Sequence, residues 1–259
     1  MGVQTDYVTY LRIDDLLNLQ QPLSDGAHDE MLFIVVHQVY ELWFKLILHE
    51  LDAAAAALDN ERPHAALLPM RRAVAVEGLL IEQLRVLESM SPEGFMRFRD
   101  PLAPASGFQS TQFREIEALS GAGDRRHLQD AGRTDLQRAQ LGDRLAARTL
   151  YGALGVAMRA ARFDFPDGED VAARSRRMGS LASLYHLHDD AVTTVLHELC
   201  ELFIDHDETI ARWRHHHALM AAREIGSRSG TGGSLGVEYL QSTLDRRFFG
   251  ELWEVRNHL

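Results

Sequence analysis

The chain has 259 residues, and 46% of them are hydrophobic, which is enough for one sizeable domain with a proper core. Its formal net charge at pH 7 is -11, and Lys45 is the only lysine among its 27 basic residues. Because an acidic chain without a basic stripe binds nucleic acid and anionic membranes poorly, we expect neither as a partner.

A single cysteine, Cys200, excludes an internal disulfide and a cysteine-based zinc cluster, and it indicates a reducing compartment. The N-terminus lacks a basic region followed by an apolar run, and nowhere do eighteen apolar residues follow one another. The sequence therefore predicts a soluble, cytoplasmic protein with no membrane span.

The first 24 residues are predicted to form an arm with a short helix. Tyr7 and Tyr10 stand at its start, and apolar residues follow at helical spacing up to Leu19. Such an arm docks either on its own domain or on another subunit. A turn at Ser24-Asp25-Gly26 separates it from the rest of the chain.

Residues 29–51, DEMLFIVVHQVYELWFKLILHEL, are the central stretch of the sequence. Apolar residues recur there at steps of three and four, which predicts an amphipathic helix that continues to about Asp59. A second row with Phe33, His37 and Glu41 runs beside this stripe, so we expect both polar side chains to lie inside. A buried imidazole and a carboxylate one turn apart need partners or a chemical role. The simpler interpretation is a hydrogen bond between His37 and Glu41.

The remaining segments also show helical periodicity, and the absence of alternating runs or repeats argues against strands. The sequence therefore predicts a single all-α domain, residues 1–259, built as a bundle of long antiparallel helices. The predicted segments are a second helix to about Met90 with Pro69 in its first turn, a packed aromatic loop over 91–110, a helix over 110–119, surface helix and loop over 124–142, a helix over 143–162, one long helix or two collinear segments over 181–224, and a closing helix over 237–259.

Two kinds of metal site are excluded by spacing. A di-iron bundle needs Glu-x-x-His pairs on two helices, and the only such pair, Glu61 with His64, lies at a helix break. A zinc hydrolase needs His-Glu-x-x-His, and the His-Glu pairs at His49 and His197 lack the second histidine.

Residues 226–236, GSRSGTGGSLG, form a glycine-rich loop. The loop lacks the Gly-Lys-Ser/Thr ending and the preceding strand of a phosphate-binding P-loop. It is either a connector or a lid that closes over a polar ligand, to which Thr231 and Ser234 would offer hydroxyls.

Heme requires little from a sequence: one histidine on a rigid helix, an apolar pocket, and cations for the propionates. His215, His216 and His217 are candidates on the long helix predicted over 181–224. Trp213, His217 and Met220 share one helix face, which favours His217, although a run of three histidines is also typical of a solvated surface.

Taken together, these segments resemble the tryptophan 2,3-dioxygenase family, heme enzymes that open the indole ring of L-tryptophan. The matching stretches occur in order over nearly the whole chain. They are Tyr7-x-x-Tyr10-Leu11, the central stretch 29–51, Phe95-x-x-x-Arg99, residues 104–110 with Phe113-Arg114, Trp213-Arg214-x-x-His217, GTGGSLG with Tyr239-Leu240, and Phe249-x-x-Leu252-Trp253.

The resemblance implies a b-type heme, ferrous in the active state, with His217 as its proximal ligand. It also implies that His37 is the distal histidine that accepts a hydrogen bond from the indole N–H, that Arg99 grips the substrate carboxylate, and that Thr231 helps to hold the ammonium. The remaining implied site residues are Phe33, Phe95 and Ser106 around the substrate, and Ala105, Trp213 and Gly230 around the heme.

Tyr7 and Tyr10 resemble an arm that a neighbouring subunit inserts at the active site, which implies a homotetramer. The implied reaction cleaves the C2–C3 bond of L-tryptophan with O2 to give N-formyl-L-kynurenine, the first step of the kynurenine pathway, without an external reductant. Two departures are Phe95, where some members have tyrosine, and Pro101, where we expect a local helix to be interrupted.

Two alternatives to this function remain open. One is a divergent heme monooxygenase acting on a substituted indole or substituted tryptophan with an external reductant. Arg99 and Thr231 argue against a substrate without an amino-acid end, because such an indole would leave both unpaired. The other is a non-catalytic heme or tryptophan sensor, for which the sequence offers no output domain.

Overall fold

The computed structural model describes residues 5–130, 132–187, 190–232 and 235–259. The described residues form helices, turns and loops without a strand, so the all-α prediction is confirmed. The helices are α1 (Tyr7–Leu11), α2 (Ile13–Leu17), α3 (Asp29–Asp59), α4 (Pro63–Leu87), α5 (Pro92–Met96), α6 (Arg99–Leu102), α7 (Thr111–Leu119), α8 (Asp135–Ala146), α9 (Leu150–Ala160), α10 (Val171–His186), α11 (Ala191–Ile225), α12 (Val237–Gln241) and α13 (Gly250–Glu254), with 3₁₀ turns at Gly107–Gln109, Arg125–Gln129 and Val255–His258.

The centre of the molecule is α3, which packs against α4, α7 and α9. The Tyr40 hydroxyl donates to the Leu80 carbonyl at 2.6 Å, and the Gln83 amide donates to the Val36 carbonyl at 2.9 Å. Tyr40 contacts residue 80, whereas the earlier residue Val36 contacts the later residue 83. The two helices therefore run antiparallel, as predicted. By length and composition α3 could cross a membrane. In this structure it is a core helix, with Ile47 fully buried.

The region predicted as one long helix or two collinear segments over 181–224 contains two helices, and the first of them, α10, begins earlier than predicted, at Val171. Asp190 starts α11, because its side chain accepts hydrogen bonds from the backbone N–H groups of Val192 and Thr193. The helix predicted over 143–162 was also placed wrongly. Its first residues belong to the end of α8, and α9 begins only after Thr149, whose hydroxyl caps the helix by accepting from Gly152 N–H.

The closing helix predicted over 237–259 is interrupted. The backbone N–H groups of Phe248 and Phe249 donate to Asp207 Oδ2 at 2.9 and 3.2 Å, and Trp253 Nε1 donates to the same oxygen at 2.8 Å. These contacts with α11 occupy backbone donors that a continuous helix would use. The chain therefore continues as α12, a bend, and α13.

The aromatic loop over 91–110 is packed, as predicted, with Phe95 and Phe98 buried. It contains α5 and α6, and Pro101 lies inside α6 rather than interrupting it. A proline is tolerated there because the first turn of a helix needs no N–H donor at that position. The prediction for Pro69 is also wrong. Because α4 begins at Pro63, Pro69 lies inside the helix and not in its first turn.

Candidate active site

An apolar chamber lies between α3, α11 and the loops that follow α6 and α11. Two adjoining cavities share Phe33, His37, Trp213 and His217 in their walls, and their volumes are 1320 and 1020 Å³ including open space at their mouths. A chamber lined by aromatic and aliphatic side chains with a few polar groups is the usual form of a cofactor or substrate site.

His37 projects into this chamber from α3 with a fixed tautomer. Its Nδ1 lies 2.7 Å from the Phe33 carbonyl oxygen, and since a carbonyl only accepts, Nδ1 carries the proton. Burial lowers the pKa of His37, so the ring is neutral at neutral pH and Nε2 keeps a lone pair. The predicted bond to Glu41 is wrong, because Glu41 accepts from the Gln112 amide at 2.7 Å instead.

An aromatic wall adjoins His37. The Phe33 ring lies against the His37 ring with centroids 4.0 Å apart, and the rings of Phe95 and Phe98 lie 5.9 and 5.5 Å from Phe33. Such spacing gives offset and edge-on contacts that hold each ring in place. The wall therefore presents a rigid apolar surface beside the one acceptor nitrogen of His37.

Among the three consecutive histidines of α11, the structure places His217 in the chamber wall. Its ring stacks on Trp213 at 5.2 Å with an interplanar angle of 2°. Burial lowers the pKa of His217 to about 4, which keeps the imidazole neutral, the form that binds a metal. Within the described residues neither ring nitrogen has a hydrogen bond. His216 instead bonds Glu88 at 2.9 Å, and His215 is exposed.

Trp213 is itself held in place by α3 and α4. Its Nε1 donates to the Tyr40 hydroxyl at 3.4 Å, and that hydroxyl donates onward to the Leu80 carbonyl. Burial raises the pKa of Tyr40 to about 12, so the phenol stays protonated and the chain of bonds stays intact. The orientation of His217 therefore depends on three helices.

Arg99 reaches the chamber from α6 and ties that segment to the glycine-rich loop. Its Nη2 donates to the Ser229 carbonyl at 2.6 Å, and its buried Nε has no partner among the described residues. In the same loop the Thr231 hydroxyl donates to the Ala105 carbonyl at 2.6 Å, and Gly230 lines the chamber. Gly233 and Ser234 of this loop lie outside the described residues.

Close packing of this loop requires a glycine at position 232. A Cβ there would lie 2.6 Å from Cβ of Ser106, closer than two carbon atoms can approach. Ser106 is fixed in turn, because its hydroxyl accepts from Phe108 N–H. In this structure Thr231 and Gly232 of the glycine-rich loop thus pack on residues 105–106 beside the chamber.

The two tyrosines of the arm are not part of the chamber within this single chain. Tyr7 and Tyr10 are 73% and 74% exposed, and neither α1 nor α2 contributes a buried residue. The other predicted site residues, from Phe33 to Thr231, line one or both of the two cavities.

Sequence reasoning missed several polar side chains in the chamber wall. Arg114 and Arg214 both pair with Glu117 there, and Glu224 is 7% exposed, with an Oε2 that has no partner among the described residues. Two signals were present. Arg114 and Glu117 are three residues apart on one helix, and Glu224 lies two turns beyond His217 on the same face. Tyr239, which adjoins Phe108, also has a buried hydroxyl without a partner in the part of the chain that the structure describes.

These residues fit a heme. The chamber is largely apolar, His217 offers a neutral imidazole without a hydrogen bond among the described residues, and the charged side chains in the described wall are Arg99, Arg114 and Arg214 with Glu41, Glu117 and Glu224. The three guanidinium groups suit ligands that carry carboxylates.

Comparison with known proteins agrees with this geometry. The profile of the family described as tryptophan 2,3-dioxygenase matches residues 1–146 and 162–259. Proteins named tryptophan 2,3-dioxygenase from a Nocardioides species, from Anaeromyxobacter strain K and from Bacillus anthracis are 42%, 38% and 38% identical to this chain. The alignments cover 100%, 98% and 100% of this chain and 96% of each relative. The chain therefore belongs to the tryptophan 2,3-dioxygenase family.

Proposed function

We propose that this chain is a heme-dependent tryptophan 2,3-dioxygenase that converts L-tryptophan and O2 into N-formyl-L-kynurenine, the first step of the kynurenine pathway. The observation that carries the proposal is the meeting of three groups at one chamber. These are the imidazole of His217, which has no hydrogen bond to the described residues, the acceptor nitrogen of His37, and the guanidinium of Arg99. Membership of the family supports the same reading.

In this proposal His217 holds the iron of a b-type heme, with Ala105, Trp213 and Gly230 in the surrounding wall. The heme, ferrous in the active state, supplies the oxygen chemistry. The stack of His217 on Trp213 fixes the plane of the imidazole, and the low pKa of His217 means that no proton competes for its ligating nitrogen.

The protein contributes orientation of the substrate. His37 Nε2 accepts the indole N–H, because Nδ1 is already committed to the Phe33 carbonyl. Phe33 and Phe95 provide the apolar faces along which the indole lies. A group fixed at both ends loses little further freedom on reaching the transition state, which is worth several orders of magnitude in rate.

The amino-acid end of the substrate is assigned to Arg99 and Thr231. Arg99 binds the carboxylate through N–H groups that the Ser229 carbonyl does not use. The Thr231 hydroxyl, now donating to the Ala105 carbonyl, helps to hold the ammonium. An indole without this end would leave the guanidinium unpaired in an apolar chamber, which disfavours a monooxygenase of simple indoles.

We propose further that residues 1–259 form one heme-binding domain that works as a homotetramer. The exposure of Tyr7 and Tyr10 supports an arm, residues 1–24, that reaches the site of a neighbouring subunit. The buried, unpaired Cys200 supports a reducing location, and we assign the protein to the cytoplasm.

The test is direct. The heme-loaded protein is reduced without oxygen, L-tryptophan is added, air is admitted, and the absorbance of N-formylkynurenine is followed without added reductant. Multiple turnovers are expected. A heme spectrum that responds to oxygen without this product would contradict the dioxygenase and favour a monooxygenase. A protein that binds no heme would contradict both.

A further inference from the structure

Two arginines share one glutamate in the chamber wall. Arg114 Nη1 donates to Glu117 Oε2 at 2.6 Å, and Arg214 Nη2 donates to Glu117 Oε1 at 2.9 Å. All three side chains are almost fully buried, at 7%, 5% and 4% exposure for Arg114, Arg214 and Glu117. The cluster therefore carries two positive charges and one negative charge away from bulk water.

The two arginines differ in what else surrounds them. Arg214 lies over the Phe248 ring at 5.0 Å, and its Nη1 donates to the Arg246 carbonyl at 3.4 Å. Arg114 lies over the Phe108 ring at 4.7 Å, and its buried Nε has no partner among the described residues. Nε is shielded from the chamber, but the guanidinium lines it, and Nη1 and Nη2 each carry a second hydrogen beyond those donated to Glu117 and the Phe108 carbonyl.

Two guanidinium groups that share one carboxylate can take a further anionic partner where one of them lines the chamber. Under the proposed function the chamber receives two sources of carboxylate, the substrate and the heme propionates. The substrate carboxylate has a separate arginine, Arg99 on α6, which is tied to the Ser229 carbonyl of the glycine-rich loop. Arg114 stands on α7 and is anchored by Glu117 and the Phe108 carbonyl instead.

We infer that Arg114 binds a propionate carboxylate of the heme, and that Glu117 and Arg214 are positioning residues that hold its guanidinium. The inference rests on the proposed function. The contact between Arg114 and the propionate would be separate from the one between His217 and the iron, because the two residues lie on different helices.

The experiment compares two cofactors in the intact holo-protein: heme b and its dimethyl ester, in which both propionates are neutral. Each form of wild type, Arg114→Gln and Arg114→Lys is mixed with excess apomyoglobin, and heme loss is followed by absorbance. Arg144→Gln is the matched control, because it removes a two-pronged pair with Asp52 that lies outside the chamber.

With heme b, Arg114→Gln is expected to lose the cofactor about ten- to a hundredfold faster than wild type, the factor for a lost hydrogen bond to a charged group. Arg114→Lys keeps the charge and should lie between them. With the dimethyl ester all four proteins should release the cofactor at similar rates, since no carboxylate remains for Arg114 to bind.

Equal loss of heme b from wild type and Arg114→Gln would overturn the inference, as would the same acceleration with the ester. If Arg114→Gln does not fold by circular dichroism, wild type alone still decides, because release of heme b and its ester at one rate would also overturn it. Failure of wild type to bind heme would overturn the proposed function, whereas normal binding without discrimination would overturn this inference alone.

Discussion

At the scale of the residue, two histidines in one chamber are prepared for different tasks by their surroundings. His37 Nδ1–H donates a hydrogen bond to the Phe33 carbonyl, so Nε2 remains as an acceptor. His217 has no hydrogen bond within the described residues, and its ring is oriented by stacking on Trp213. The first is suited to a donor on a substrate, and the second to a metal.

Replacing His217 by alanine should abolish stoichiometric heme, because the proposed axial ligand is lost. His215→Ala, on the same helix but exposed, should keep it. The measurement is heme content per chain from the absorbance of the purified proteins. Normal heme in His217→Ala would move the ligand to another residue.

Arg99→Ala should raise KM for L-tryptophan by about ten- to a hundredfold, since a charged hydrogen bond to the carboxylate is lost. Binding of indole itself, which has no carboxylate, should change little. Arg97→Ala is the control, because Arg97 is the exposed arginine of the same segment. Equal losses for tryptophan and indole would contradict the role of Arg99 as carboxylate clamp.

Glu224 predicts a dependence of stability on pH. Burial raises its pKa above the usual 4.5, and the nearby Glu88 and Glu93 act in the same direction, while Arg223 partly opposes the shift. The folded protein therefore binds this proton more tightly than the unfolded chain does, so the stability contribution is fully present below pH 4.5 and is lost as pH rises through the folded pKa.

Because glutamine does not ionise, the variant Glu224→Gln does not lose this contribution to stability as pH rises. Its Tm should exceed that of wild type at about pH 8 and approach it at about pH 5. Glu238→Gln, at an exposed position of α12, should show no such trend. A Tm difference independent of pH between Glu224→Gln and wild type would show that the carboxylate does not titrate in this way.

At the scale of the element, a buried network of hydrogen bonds joins three helices. His206 on α11 contacts Glu77 of α4 through Nδ1 at 2.6 Å and Ser120, directly after α7, through Nε2 at 2.8 Å. All three residues are fully buried, and burial raises the pKa of Glu77. Ser120, His206 and Glu77 resemble a catalytic triad, but no solvent reaches them. We therefore call them the structural clasp, a buried network that holds the three helices together.

His206→Ala should therefore lower the free energy of unfolding by about 3–5 kcal/mol, because it leaves the Glu77 carboxyl group buried without a partner. Ser120→Ala should cost about 1 kcal/mol, the usual value of a single neutral bond. Guanidinium unfolding followed by circular dichroism measures both. His64→Ala, exposed on α4, serves as the control, and a similarly small loss in His206→Ala would contradict the clasp.

At the scale of the whole molecule, the arm contributes little to its own domain. α1 and α2 contain no buried residue, whereas the chain just after them is tied down by Leu23 and Ser24, whose N–H groups bond Glu30 at 2.7 and 2.9 Å. An arm with exposed tyrosines and a firmly anchored base is suited to a neighbouring subunit.

Removal of residues 1–18 keeps the bonds to Glu30 and should leave heme content and thermal stability close to wild type. Turnover of tryptophan should fall strongly if the arm completes a neighbour's site. Light scattering reports the assembly and product absorbance the rate. Full activity in the truncated protein would exclude a role for Tyr7 and Tyr10.

The sequence by itself determined the helical class, the bounds of α3 and the residues that face the chamber from it. These follow from local periodicity: a stripe at steps of three and four marks a helix and its inner face wherever the chain lies. Periodicity only favoured His217 among the three histidines of α11, and the family motifs added His217, Arg99 and Thr231 as hypotheses about the site.

Only the tertiary structure decided where the C-terminal helix breaks, which atom His37 bonds, and how Arg114, Glu117 and Arg214 cluster. The N–H groups of Phe248 and Phe249 donate to Asp207 instead of to helical carbonyls, although the sequence around them is compatible with a helix. Contacts of this kind join segments that are distant along the chain. Since local periodicity carries no information about which distant segment lies opposite, only the packed molecule reveals them.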